Sequence, residues 1–195
     1  NEQFRKELRE WFEDGQPNSE QFILGSTGPV LQGLGAIESD IYMNGDKIST
    51  ILKQHPEMTI REIQHIPDVL EDPVVVLKSR NVRGAKNQYG ESRIVMFGAV
   101  KAQDGRPIMC VLDLRPTENG FLLDDMQKVN SAYTKDNDPA GFVQKSQFLY
   151  ADKKRTIPLL RGMGFQMPMS LLRSGSTGSI SYQGNSVNME GAPFS

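Results

Sequence analysis

The 195-residue chain has one cysteine, Cys110, and two histidines, His55 and His65. A single cysteine excludes an internal disulfide, and two histidines without partner cysteines supply no zinc-ligand spacing, so neither a metal nor another cofactor is expected. Cys110 lies inside the apolar run 108–112 and reads as a core residue rather than a nucleophile. No apolar run approaches the length needed to cross a bilayer. The stretch Gly25-Ser26-Thr27-Gly28 lacks the lysine and the spacing of a phosphate loop, and nothing matches a dinucleotide fingerprint. The opening residues Asn1-Glu2-Gln3-Phe4-Arg5 hold neither an initiator methionine nor the start of an apolar leader, so a fragment of a larger parent protein is expected.

What is present describes one globular α+β domain with generous loops. The length suits a single core, with residues 1–20 expected as a helix or linker from the parent and 21–195 as the domain. The net charge of -2 conceals an asymmetry. Residues 1–72 carry 6 Lys and Arg against 14 Asp and Glu, whereas residues 73–195 carry 16 against 10. The acidic part is mostly helix by pattern and the basic part mostly sheet, so a basic sheet face could meet a phosphate backbone.

Phe4, Leu8, Trp11 and Phe12 recur at helical spacing, which predicts an amphipathic first helix. Short strands are expected at 22–25 and 41–43, with short helices after Pro29 and after Asn44 or Asp46. Thr59 with Glu62 three residues on is a capping-box signature for a further helix, followed after Pro67 by another. The period then changes to β-rich runs at 73–79, 93–100 and 107–114, the last two joined by an Asp104-Gly105 hairpin turn. A fourth strand within 121–134, a helix after Pro139, a strand at 148–150, a helix from Lys153 to Gly162 and an edge strand around Ile180 complete the pattern. Helices first and a four- to six-stranded, mainly antiparallel sheet second define the α+β class.

The succession of Phe22-Ile23-Leu24-Gly25-Ser26-Thr27-Gly28-Pro29, Ile66-Pro67-Asp68-Val69-Leu70-Glu71-Asp72-Pro73, Ser131-Ala132-Tyr133-Thr134-Lys135-Asp136-Asn137 and Lys153-Lys154-Arg155-Thr156-Ile157-Pro158 resembles the phage MuF C-terminal domain family over roughly residues 20–195. That resemblance implies the barnase, EndoU and RelE-like nuclease fold and a toxin that cleaves RNA, tRNA among the candidate targets, without a metal. It further implies an immunity protein or a restraining domain of the parent as partner. The expected setting is the cytoplasm of a bacterial target or host, reached with a phage particle or as part of a secreted larger protein. Where the family pattern carries a histidine in the last strand, this chain reads Ser176-Thr177-Gly178-Ser179-Ile180, a departure from a barnase-type acid–base pair.

Metal-free RNA cleavage requires a base for the 2′-hydroxyl, cationic groups for the phosphorane and an acid for the 5′-oxygen. Strand alternation places Ser131, Tyr133 and Lys135 on one face with Asn137 just beyond. In this reading Lys135 stabilises the phosphate, Tyr133 exchanges a proton or stacks on a base, and Ser131 and Asn137 orient the substrate. A second cluster, Lys78, Ser79, Arg80 and Arg93 with Arg83 and Lys86 between, suits phosphate grip because guanidinium groups stay charged and present a bidentate fork. Of the two histidines, His65 is the stronger acid–base candidate and His55, at a helix end in Gln-His-Pro, the weaker. Asp124, Asp125 and Asp136 are carboxylate candidates whose plain alternative is a solvated turn. Two other functions fit the same residues: a non-catalytic nucleic-acid- or protein-binding module, and an ADP-ribosyltransferase-type toxin, for which no supporting acidic motif is found.

Overall fold

The computed structural model describes residues 1–15, 17, 20–79, 93–114, 117–118, 121–122, 126–134, 139–164 and 179–181. The long β runs lack the apolar–polar alternation of a half-exposed sheet, and the fold explains why. Strands β3 (Val75–Lys78), β4 (Arg93–Lys101) and β5 (Pro107–Asp113) are covered on both faces. Val76, Ile94, Met96, Ile108, Cys110 and Leu112 enter one core; Val75, Leu77, Val95, Phe97 and Met109 enter the other. A strand buried on both sides reads as a continuous apolar run. Burial also pushes the Cys110 thiol far above its usual range, which leaves it a core residue.

The first core is roofed by α1 (Glu2–Glu13), α3 (Gly45–Gln54) and α5 (Ile66–Glu71), with the short α2 (Pro29–Gly33) and α4 (Ile60–Ile63) at its margins. The second is closed by α6 (Pro139–Gln144) and α7 (Lys153–Gly162) through Val143, Leu160 and Met163. Strands β1 (Gln21–Ser26), β2 (Asp40–Asn44), β8 (Met126–Thr134), β9 (Phe148–Asp152) and β10 (Ser179–Ser181) complete the sheet, while β6 (Thr117–Glu118) and β7 (Phe121–Leu122) pair separately. Among the described residues the main sheet runs β1-β2-β8-β5-β4-β3-β9-β10, antiparallel except for β2 beside β8. The α+β class and mainly antiparallel sheet are those the sequence implies. The sheet is wider than the expected four to six strands because β1 and β2, from the helical half, join it through the parallel β2–β8 contact.

The local signals act as their chemistry requires. Thr59 and Glu62 form the reciprocal capping box of α4. Gly105 turns the β4–β5 hairpin at φ 78°, a left-handed angle that glycine adopts without a Cβ clash. At Gly98 on β4 the constraint is contact, since a Cβ there would meet the Val69 Cγ2 of α5 at 2.7 Å and its Cα at 3.2 Å. Gly98→Ala is therefore expected to destabilise the domain by about 1–3 kcal/mol through overpacking. A urea midpoint unchanged from wild type would show that α5 can lift off the sheet freely.

Helix α1 is fastened at both ends. Asn1 caps it through the Phe4 N–H at 3.1 Å and donates to the Leu24 carbonyl of β1 at 2.8 Å, and the Trp11 indole donates to the Pro17 carbonyl at 2.9 Å. Phe4 and Trp11 both set their rings edge-on to Phe22 of β1, at 5.9 and 5.7 Å.

Candidate functional site at the end of strand β8

Strand β2 pairs with β8 only over residues 126–128, so the other edge of β8 from 129 onward has no strand beside it among the described residues. The turn after α3 comes to that edge. His55 ends α3 with its N–H on the Ile51 carbonyl at 2.8 Å, and Pro56 prevents the helix from continuing. The Met58 N–H closes the turn on the His55 carbonyl at 2.8 Å, and the buried Met58 side chain anchors it in the core. The α4 cap begins at Thr59, so the turn is held between two helices.

This turn places the His55 ring flat against Tyr133 of β8, with centroids 4.7 Å apart and planes within 9°. Glu57 Oε1 lies 3.5 Å from His55 Nδ1, an ion-pair distance for the protonated ring. The same oxygen accepts from the Thr134 N–H at 3.4 Å and lies 3.4 Å from the Thr134 hydroxyl, at an edge where no strand pairs among the described residues. The Thr134 hydroxyl is closer to Asp104 Oδ2, at 2.9 Å, and that oxygen meets Arg106 Nη2 at 3.0 Å. The result is a polar chain, His55–Glu57–Thr134–Asp104–Arg106, drawn from one helix–helix turn, one hairpin and one strand end. His55 and Glu57 are 28% and 21% exposed, so both reach solvent while lying in a partly desolvated setting where charge interactions strengthen.

The sequence-derived candidates divide around this site. Tyr133 is in it, and Lys135 follows Thr134 directly in the sequence. Lys135, Asn137, Arg80, Arg83, Lys86, Asp124, Asp125 and Asp136 lie outside the described residues. Register and alternation put Ser131 and Tyr133 on the face that carries Val111 and Met109, and Arg93 shares that face through its pairing with Asp113. Lys78 pairs with Ile94 and so faces the other core, and Ser79 donates its N–H to the Arg93 carbonyl at 3.1 Å. The Arg93 guanidinium is forked onto Asp113 at 2.5 and 2.9 Å, and Asn130 also donates to Asp113. The hydrogen bonds from Arg93 to Asp113 hold Arg93 above its ordinary pKa. His65 stands elsewhere, before α5, with Nδ1 2.7 Å from Asp68, whose carboxylate also meets Arg5 of α1 at 3.5 Å. Arg155 of the basic Lys153-Lys154-Arg155 run bridges Asp72 and Asp152, tying α7 to the end of α5. Burial raises the Asp152 carboxyl, and the Arg155 hydrogen bonds outweigh that and lower it.

His55, Glu57, Thr134, Asp104 and Arg106 were not singled out as a group from the sequence, because their separation along the chain hides their meeting. All of them fall within residues 47–157, which match the model of the phage MuF C-terminal domain. The match covers more than half of the chain. The protein belongs to the phage MuF C-terminal domain family. No curated protein and no solved structure matches it. In this MuF C-terminal domain, no helix among the described residues is long and apolar enough to cross a membrane, and no described cluster of His, Cys, Asp and Glu has the makings of a metal site.

Proposed function

We propose that this domain is a metal-independent RNA endonuclease of the toxin type, working at the end of β8. The observation that carries the reading is the His55–Tyr133 stack with Glu57 at the imidazole nitrogen. In this reading Glu57, 3.5 Å from Nδ1, favours the proton on that nitrogen and leaves Nε2 to exchange protons, the arrangement that makes a histidine an effective base. The face of Tyr133 stabilises the imidazolium once it forms. In this reading Nε2 takes the 2′-hydroxyl proton and the 2′-oxygen bonds to phosphorus. The bond to the 5′-oxygen breaks, and that oxygen takes a proton from solvent. The products are a 2′,3′-cyclic phosphate and a 5′-hydroxyl. Arg106, with Lys135 beyond Thr134, neutralises the charge that gathers on the phosphorane.

One observation favours a second reading, a non-catalytic binding module. Arg93 and Arg155, two of the cations of the basic half, already have carboxylate partners. A protein-binding module with an eroded catalytic set fits that pairing, because cations already matched by carboxylates have less to offer a phosphate backbone.

Controlled expression in bacteria of the wild type and of His55→Ala separates the two. Growth arrest with RNA fragments ending in cyclic phosphate, relieved by the substitution and insensitive to chelators in vitro, supports the nuclease. Intact RNA with a well-folded wild-type protein moves the assignment to the binding module. An immunity protein or a restraining segment of the parent is part of the proposal, since an unrestrained ribonuclease would harm the cell that makes it.

A further inference from the structure

A second feature opens beside Arg106. Between the β4–β5 hairpin and the ends of α6 and α7 lies a solvent-open pocket of about 90 Å³, lined by Phe97, Arg106, Pro107, Pro139, Gly162 and Met163. Its floor is apolar, since Phe97 and Met163 belong to the second core. Among the described residues its one charged lining group is Arg106, which also ends the polar chain that begins at His55. Gly162 stands exposed at the pocket's rim, where a Cβ would find no atom within 4 Å and a larger side chain can be accommodated.

We infer that this pocket takes the base of a pyrimidine nucleotide whose phosphate is held by Arg106, and that it sets the base preference of the RNA-cleaving site. The inference rests on the reading given above. Single-stranded RNA is recognised by inserting unstacked bases beside apolar side chains and guanidinium planes. Arg106 has donors beyond the one it gives Asp104, so it can bridge the pocket to a phosphate placed before His55. Size selects the base: an apolar cavity of about 150 Å³ takes a whole benzene ring, so this smaller open pocket admits one six-membered ring part-way and not a fused purine.

The test is titration of the wild type, Gly162→Ala and Gly162→Leu with uridine 3′-monophosphate, guanosine 3′-monophosphate and ribose 5-phosphate, followed by NMR. The uridine nucleotide is expected to bind most tightly and to shift the resonances of Phe97, Arg106 and Met163. Gly162→Leu, which adds bulk at the pocket's rim from an exposed helix end, should weaken that binding by about tenfold or more, and Gly162→Ala by less. Circular dichroism on each variant confirms that the fold is kept. Equal binding of ribose 5-phosphate or the guanosine nucleotide, or no effect of Gly162→Leu, overturns the inference. RNA cleavage is scored separately. Cleavage without uridine selectivity removes the pocket's role and leaves the nuclease standing; selective binding without any cleavage keeps the pocket and removes the nuclease.

Discussion

RNA cleavage by the His55→Ala variant is expected to fall by about 10²–10⁴-fold, the usual contribution of a positioned general base. Stability should change far less, because the ring lies at the surface end of α3 and its stacking on Tyr133 is worth about 0.5–1.5 kcal/mol. Glu57→Gln keeps the shape of the turn but removes the charge facing Nδ1, so its loss should be smaller than that of His55→Ala and should alter the pH profile of kcat/KM. Tyr133→Phe retains the aromatic platform and should lose less activity than Tyr133→Ala. Wild-type cleavage that survives in His55→Ala would move the chemistry away from this turn. The obvious alternatives would then be Lys135 and Ser131, the other members of the Ser131–Tyr133–Lys135 face.

Phe4→Ala should cost about 3–5 kcal/mol, the range for deleting a buried aromatic ring. That is a large part of the roughly 5–15 kcal/mol that holds a typical domain together. Phe4 is fully buried, its ring meets Phe22 of β1 edge-on, and its N–H is the one that Asn1 caps. The loss would therefore reach beyond α1 to the packing of β1 against β2. Denaturation in urea is the measurement. A cost below about 1 kcal/mol would show that α1 is a dispensable linker helix, the role expected for residues 1–20 from the sequence, and would make truncation at residue 20 safe. The full cost would mean that α1 is part of the folded unit.

Much of the architecture was legible because its signals are local. The capping box at Thr59 and Glu62, the prolines that open α2 and end α3, the Asp104-Gly105 turn and the aromatic spacing of α1 all act over a few residues, and each appears where the pattern put it. The β-rich runs of β3, β4 and β5 were legible as strands, but their burial on both faces was not and belongs to the tertiary structure. The parallel contact of β2 with β8 was not legible. No turn links the two strands, and the pairing depends on how the whole sheet closes.

The site followed the same division. Tyr133 could be chosen from the alternation of β8, but its partner was not evident, since His55 sits 78 positions earlier at a helix end where a histidine ordinarily has only a local role. Pro56 after His55, with Glu57 beyond, was the available signal: a proline ends the helix at that point and leaves a titratable ring and a carboxylate two positions apart in the turn. What the sequence determined by itself is the set of elements, the α+β class and the presence of a titratable ring, carboxylates and cations, because these depend on residue chemistry and short-range sterics. Which of them meet was decided by tertiary structure alone. The early end of β2 leaves the end of β8 without a strand neighbour among the described residues, and the Thr134 N–H there is what Glu57 answers, bringing His55 onto Tyr133.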